Sequence, residues 1–250
     1  MGFLRYEPGQ DGYQIRKRID LFKNEKDNYL FCAFFKADKY YISYMSQMMP
    51  YMIVLDLKGE VLYKVELGKK WVCAFSDYSN RFLIAAGYHS IRLIDSQAIP
   101  PEKSPFIAKE HDMKCGQIFG IKKTYYSNEY MLMTRDGLHF VEITKVAAAP
   151  RPTFTVSNLD IKRSIMVGKE VREAIEFEKD QYIVCCYDDK FIHFAQRKVT
   201  GDPLMSSIQN PTGGEYYRNL MKVSGYQAVK KPYVFMRDDV GISLVNTQLK

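Results

Sequence analysis

Short apolar runs headed by an aromatic residue recur along the chain, each followed by a turn and a second apolar run. The five copies read Tyr41-Ile-Ser-Tyr-Met with Met52-Ile-Val-Leu-Asp56, and Phe82-Leu-Ile-Ala-Ala with Ile91-Arg-Leu-Ile-Asp95. Tyr130-Met-Leu-Met-Thr pairs with Leu138-His-Phe-Val-Glu142, and Tyr182-Ile-Val-Cys-Cys with Phe191-Ile-His-Phe-Ala195. The last is Tyr233-Val-Phe-Met-Arg with Ile242-Ser-Leu-Val-Asn246. Runs of this length and composition, bounded by Gly, Asp, Asn and Pro, mark β-strands. The head aromatics lie 41 to 52 residues apart. Several strands repeating at such a period signal the blades of a β-propeller.

Filling in the strands around each pair predicts an all-β chain, a β-propeller of about five four-stranded blades. The blades span residues 28–67, 71–109, 114–157, 170–208 and 217–250, behind an N-terminal segment of residues 1–27. Arg135-Asp-Gly137, Tyr187-Asp-Asp-Lys190 and Arg237-Asp-Asp-Val-Gly241 occupy one slot in units three to five. Asp accepts local backbone hydrogen bonds and Gly tolerates positive φ, so all three suit a hairpin connection. Unit five has no fourth strand after Asn246. The period-2 segment Tyr13–Phe22 is expected to supply it outside Ile242–Val245 and close the ring, since an open sheet edge exposes unpaired backbone groups. A fragment of a larger propeller, with irregular strands in Lys145–Glu170, is the alternative.

Hydrophobic content of 46% and charged content of 26% fit a globular chain and exclude disorder. The net charge of +7 comes from scattered pairs such as Lys69-Lys70 and Lys230-Lys231, with no basic tail. RNA or anionic lipid is therefore compatible with the charge but not indicated by it. Five cysteines, 32, 73, 115, 185 and 186, form no even disulfide framework. No signal peptide is evident, and the uncharged stretch Tyr40–Leu55 is too short and too interrupted by Pro50 to span a bilayer. An intracellular, cytoplasmic location is expected.

Unit two carries a family likeness. Ala74-Phe-Ser-Asp, Asn80-Arg-Phe-Leu-Ile-Ala-Ala-Gly87 and Ser90-Ile-Arg-Leu-Ile-Asp95 together resemble a WD repeat, with Ile94-Asp95 at the Trp-Asp position. Leu55-Asp56 holds that place in unit one, and it decays to Val141-Glu142, Phe194-Ala195 and Val245-Asn246 in the others. The family's Gly-His pair is missing from every unit. With it goes the buried His-Asp-Trp network that the resemblance would imply, so apolar packing is expected to hold the blades. Unit three, Tyr130 to Glu142, also looks like a blade of the citron-homology propellers.

Little in the chain points to chemistry. His111 and Cys115 are a close His/Cys pair, but zinc would need further ligands nearby. Cys185 and Cys186 are adjacent in a strand and point to opposite faces. His139 and His193 fall within third strands, as packing or surface residues. Glu173 and Glu176 stand out as carboxylates in a first strand. No phosphate loop, nucleophile elbow or dinucleotide fingerprint occurs. No catalytic residue, cofactor or metal is assigned. Methionine is adaptable and over-used on binding surfaces, and the enlarged turn Ser46–Pro50 is expected to project an apolar tip or fold back onto the core. Met48, Met49, Pro50 and Tyr51 are the candidate partner contacts. The expectation is a non-catalytic protein-interaction scaffold, a subunit of a larger intracellular complex. The alternatives are an enzyme using the central channel and a basic propeller binding RNA or anionic lipid.

Overall fold

The computed structural model describes residues 2–6, 13–18, 29–68, 71–96, 107–146, 153–158, 163–187, 189–198, 201–209, 217–222, 233–238 and 242–246. Among the described residues, twenty-one strands are arranged in antiparallel sheets whose order follows the chain. Blade one holds β3 (Tyr29–Lys36), β4 (Lys39–Ser46), β5 (Met49–Leu55) and β6 (Val61–Glu66). Blade two holds β7 (Ala74–Asp77), β8 (Phe82–Gly87), β9 (Ser90–Asp95) and β10 (Ile107–Asp112). Blade three holds β11 (Ile118–Lys123), β12 (Glu129–Thr134), β13 (Gly137–Val146) and β14 (Thr153–Asn158). Blade four holds β15 (Val171–Glu178), β16 (Gln181–Cys186), β17 (Phe191–Gln196) and β18 (Leu204–Gln209). Blade five has three strands, β19 (Tyr217–Lys222), β20 (Tyr233–Asp238) and β21 (Ile242–Asn246). The first strands pack side by side in the order β3, β7, β11, β15, β19. Among the described residues β19 and β3 share no packing of comparable extent, so the row of blades is not closed.

The closure expected of Tyr13–Phe22 is overturned. β2 (Tyr13–Arg18) pairs antiparallel with β1 (Gly2–Tyr6) in a separate two-stranded sheet. Pro8, Gly9, Asp11 and Gly12 lie between the two strands in sequence. A partner this near costs far less loop-closure entropy than one over two hundred residues away.

The core lies between blades. β-strands alternate their side chains across the sheet, and here each face meets a different neighbour. Phe82, Ile84 and Ala86 pack with Tyr130, Leu132 and Ile143 of blade three. Leu83 and Ala85 pack with Tyr41, Met52 and Val54 of blade one. Met131, Met133 and Phe140 meet Tyr182, Val184 and Cys186 of blade four. Cys185 turns the other way, onto Phe177, Ile183 and Ile192, as adjacency in a strand requires. Each fully buried Leu, Ile, Val, Met or Phe among them contributes roughly 1.5–3 kcal/mol.

The head aromatics are not structurally equivalent. The carbonyl of the residue just before the second strand accepts from the amide of a residue just after, or near the end of, the third: Ser96 N–H donates to Arg81 O, Ile143 N–H to Asn128 O and Arg197 N–H to Asp180 O. Counted from this shared bond, Phe82 is the first residue of its strand and Tyr130 and Tyr182 the second. One residue of offset reverses the face. Tyr41 and Phe82 therefore point toward the following blade, Tyr130 and Tyr182 toward the preceding one.

Candidate functional site

The hairpins joining second and third strands in blades three and four carry matching polar networks. In blade three the turn is Arg135-Asp136. Asp136 Oδ1 accepts hydrogen bonds from Thr134 Oγ1 at 2.5 Å and from the Gly116 amide at 2.9 Å. His139 bridges Asp136, 3.0 Å from Nε2, and Ser164, 3.0 Å from Nδ1. In blade four Asp189 accepts from the Phe191 amide at 2.9 Å. His193 bridges Asp189, 2.9 Å from Nε2, and Ser207, 2.8 Å from Nδ1. Burial works to raise both aspartates, but the hydrogen bonds outweigh it and leave each carboxyl below its ordinary range.

These networks correct the expectation that apolar packing alone holds the blades. The Asp positions were legible as turn residues. Their histidine partners were not, because Asp136 to His139 and Asp189 to His193 differ in spacing and the serines lie 25 and 14 residues beyond the histidines. Thr134 ends β12 and Cys186 ends β16, so a thiol stands in blade four where blade three has a hydroxyl.

A second polar cluster fills the seam between blades three and four. Buried Arg197 follows β17, with Nη1 2.8 Å from Glu129 Oε1 and Nη2 2.8 Å from Asp180 Oδ1. Its guanidinium carbon lies 4.4 Å from the centroid of the Phe140 ring. Glu176 accepts from Tyr182 Oη at 3.1 Å, the Asp180 amide at 2.8 Å and the Tyr125 amide at 2.6 Å. Burial still raises the Glu176 carboxyl above its ordinary value. The seam opens into a cavity of about 400 Å³ where Arg163, Arg197 and Lys198 face Glu129, Glu142 and Asp180. Equal numbers of both signs give this cavity no preference for an anion or a cation. Glu173, the other first-strand carboxylate, pairs with Lys122 at 2.5 Å and accepts from the Ala174 amide. Both carboxylates singled out in the sequence therefore bind neighbouring strands or blades together.

The methionine tip is smaller than expected. Ser46 and Met49 pair directly, leaving the two-residue turn Gln47-Met48 with φ of 49° and 64°. Two left-handed residues match the twist of a tight hairpin. Met48 is 77% exposed and Met49 is partly so, while Pro50 is buried. Tyr51 stacks on Tyr44 at 5.6 Å between ring centroids, with Lys64 Nζ 4.1 Å from its own centroid. The candidate contacts divide into an outward pair, Met48 and Met49, and an inward pair that supports it. His111 and Cys115 are not joined: the Cys115 carbonyl instead meets His89 Nδ1 at 3.0 Å.

Among solved structures 216 chains match this fold. One is the β-propeller domain of Cps50 (Swd1) from Myceliophteria thermophila, at 12% identity and a TM-score of 0.51. The likeness covers 90% of this chain and 69% of that one. The fold is a β-propeller. At this identity the propeller likeness extends to architecture and no further. No protein-family model matches the chain, and no curated protein matches it in sequence. Among the described residues no helix is long and apolar enough to cross a membrane.

Proposed function

We propose that this propeller is a non-catalytic protein-interaction scaffold, a WD-like subunit of a larger complex in the cytoplasm. The observation that carries the reading is the Met48 tip. A large apolar side chain is held out on a tight left-handed turn, at the end of a hairpin in which Pro50 is buried and Tyr51 stacked. Apolar area placed there adds nothing to the core and gains free energy only when a partner covers it. Glu173 and Glu176, the first-strand carboxylates that a channel enzyme would call on, are engaged in joining strands and blades.

Affinity purification of the full chain from its native source, with mass spectrometry, tests the reading. The expected outcome is a reproducible set of partners, at least one of which is lost from Met48→Asp/Met49→Asp while the melting temperature is unchanged. Recovery of the wild-type chain as a lone monomer with hydrolase activity would overturn it.

A further inference from the structure

Cys186, Asp189 and His193 each bring one ligand atom to a single point of the blade-four hairpin, and these atoms lie within 4.8 Å of one another. Cys186 closes β16 and His193 is on β17, so paired strands present these two, and Asp189 stands in the turn that joins the strands. We propose that they form a three-ligand site for zinc or another divalent cation of similar softness. A sulfur, an imidazole nitrogen and a carboxylate oxygen make a donor set that zinc accepts, at about 2.3, 2.0 and 2.0 Å. Tetrahedral bonds of those lengths set ligand atoms roughly 3.3–3.5 Å apart. The Asp189–His193 contact of 2.9 Å opens slightly and the cysteine closes in. The fourth position is left to water.

The support around the ligands matches what such a site needs. Metal-bound histidines hold their ring through the other nitrogen, and His193 Nδ1 lies 2.8 Å from Ser207 Oγ. With Nε2 on the metal, Nδ1–H donates to that hydroxyl. The thiol gives up its proton to solvent as the Cys186 sulfur binds, and the imidazole and carboxylate bind neutral and ionised respectively. The Lys169 ammonium acts on Asp189 and Cys186, so a dication competes with it. Blade three is the internal control: it repeats the Asp–His–Ser arrangement but places the Thr134 hydroxyl where the thiol stands, a poor ligand for a soft ion.

Titration of the metal-stripped full chain with Co²⁺ alone reads the site, because a thiolate ligand produces a sulfur-to-cobalt charge-transfer band. One equivalent is expected, with Zn²⁺ displacing it. Cys186→Thr, which copies blade three, abolishes the band and weakens binding at least about 10-fold, and Ser207→Ala weakens it about 10- to 100-fold. His139→Ala leaves stoichiometry and affinity unchanged, and Lys169→Ala tightens binding. A folded wild-type chain with no charge-transfer band overturns the proposal, whatever the variants do. So does a band that survives in Cys186→Thr.

Discussion

Blades two and four close the base of the same hairpin with an arginine–aspartate pair, but the charges are exchanged. In blade two Arg81 precedes the second strand and grips Asp95, which ends the third, through Nε and Nη2. In blade four Asp180 precedes and Arg197 follows. Arg81 is half exposed, whereas only 5% of the Arg197 side chain is open to solvent. With its arginine open to water, the blade-two pair gains less, because water and salt screen it from that side. The buried one also holds Glu129 of the neighbouring blade and packs against Phe140. One sequence device thus serves as a clamp within one blade, open to water on its arginine side, and as a joint between blades in the other. The backbone position is shared, and desolvation sets the difference.

The sharpest way to break that contrast is Arg197→Ala, which takes the paired guanidinium from buried Glu129 and half-buried Asp180. Loss of one partner from a buried pair costs about 3–5 kcal/mol, measured as a lower midpoint in urea. Tyr182→Phe removes only the hydroxyl that donates to Glu176 and should cost about 1–3 kcal/mol. Arg81→Ala should cost less than Arg197→Ala, about 1–2 kcal/mol, because the arginine is open to water although Asp95 is mostly buried, and raising salt should shrink it further. If Arg81→Ala proved as costly as Arg197→Ala, burial would not be what separates the two clamps.

A pH series adds the smallest effect and separates the hairpin networks from the seam. Asp136 and Asp189 are depressed in the fold, so they stabilise it above the ordinary aspartate value of 3.8. That contribution is lost as pH falls through their lower folded values. Glu176 runs the other way, since burial raises it and folding disfavours its charge. Asp136→Asn/Asp189→Asn should therefore flatten the urea midpoint below about pH 4 while leaving its slope from pH 5 to 7 intact.

Much of this architecture was legible. β8 and β9 fall where the apolar runs Phe82–Gly87 and Ser90–Asp95 place them, and Asp136 and Asp189 act as the turn acceptors their slot suggested. β7 was harder to place. The run Trp71-Val-Cys-Ala-Phe75 suggests a strand from Trp71, but the strand begins at Ala74. Gly87 lets the preceding backbone approach so closely that a Cβ there would lie 2.2 Å from the Trp71 carbonyl oxygen. The destination of Tyr13–Arg18 was not readable either, because period-2 alternation identifies a strand without naming its partner. The polar seam was invisible for a related reason. Tyr125, Glu129, Glu176 and Arg197 are spread over more than seventy residues, and no short motif unites them.

The one-residue offset of the head aromatics has a practical consequence for anyone exchanging blades. A graft that aligns Phe82 with Tyr130 would present every side chain of the transplanted hairpin to the wrong neighbour. Aligning Arg81, Asn128 and Asp180 instead keeps the faces in phase. Interchangeability in this chain is thus governed by a backbone hydrogen bond that leaves no mark on residue identity, and the conspicuous aromatic is the wrong landmark.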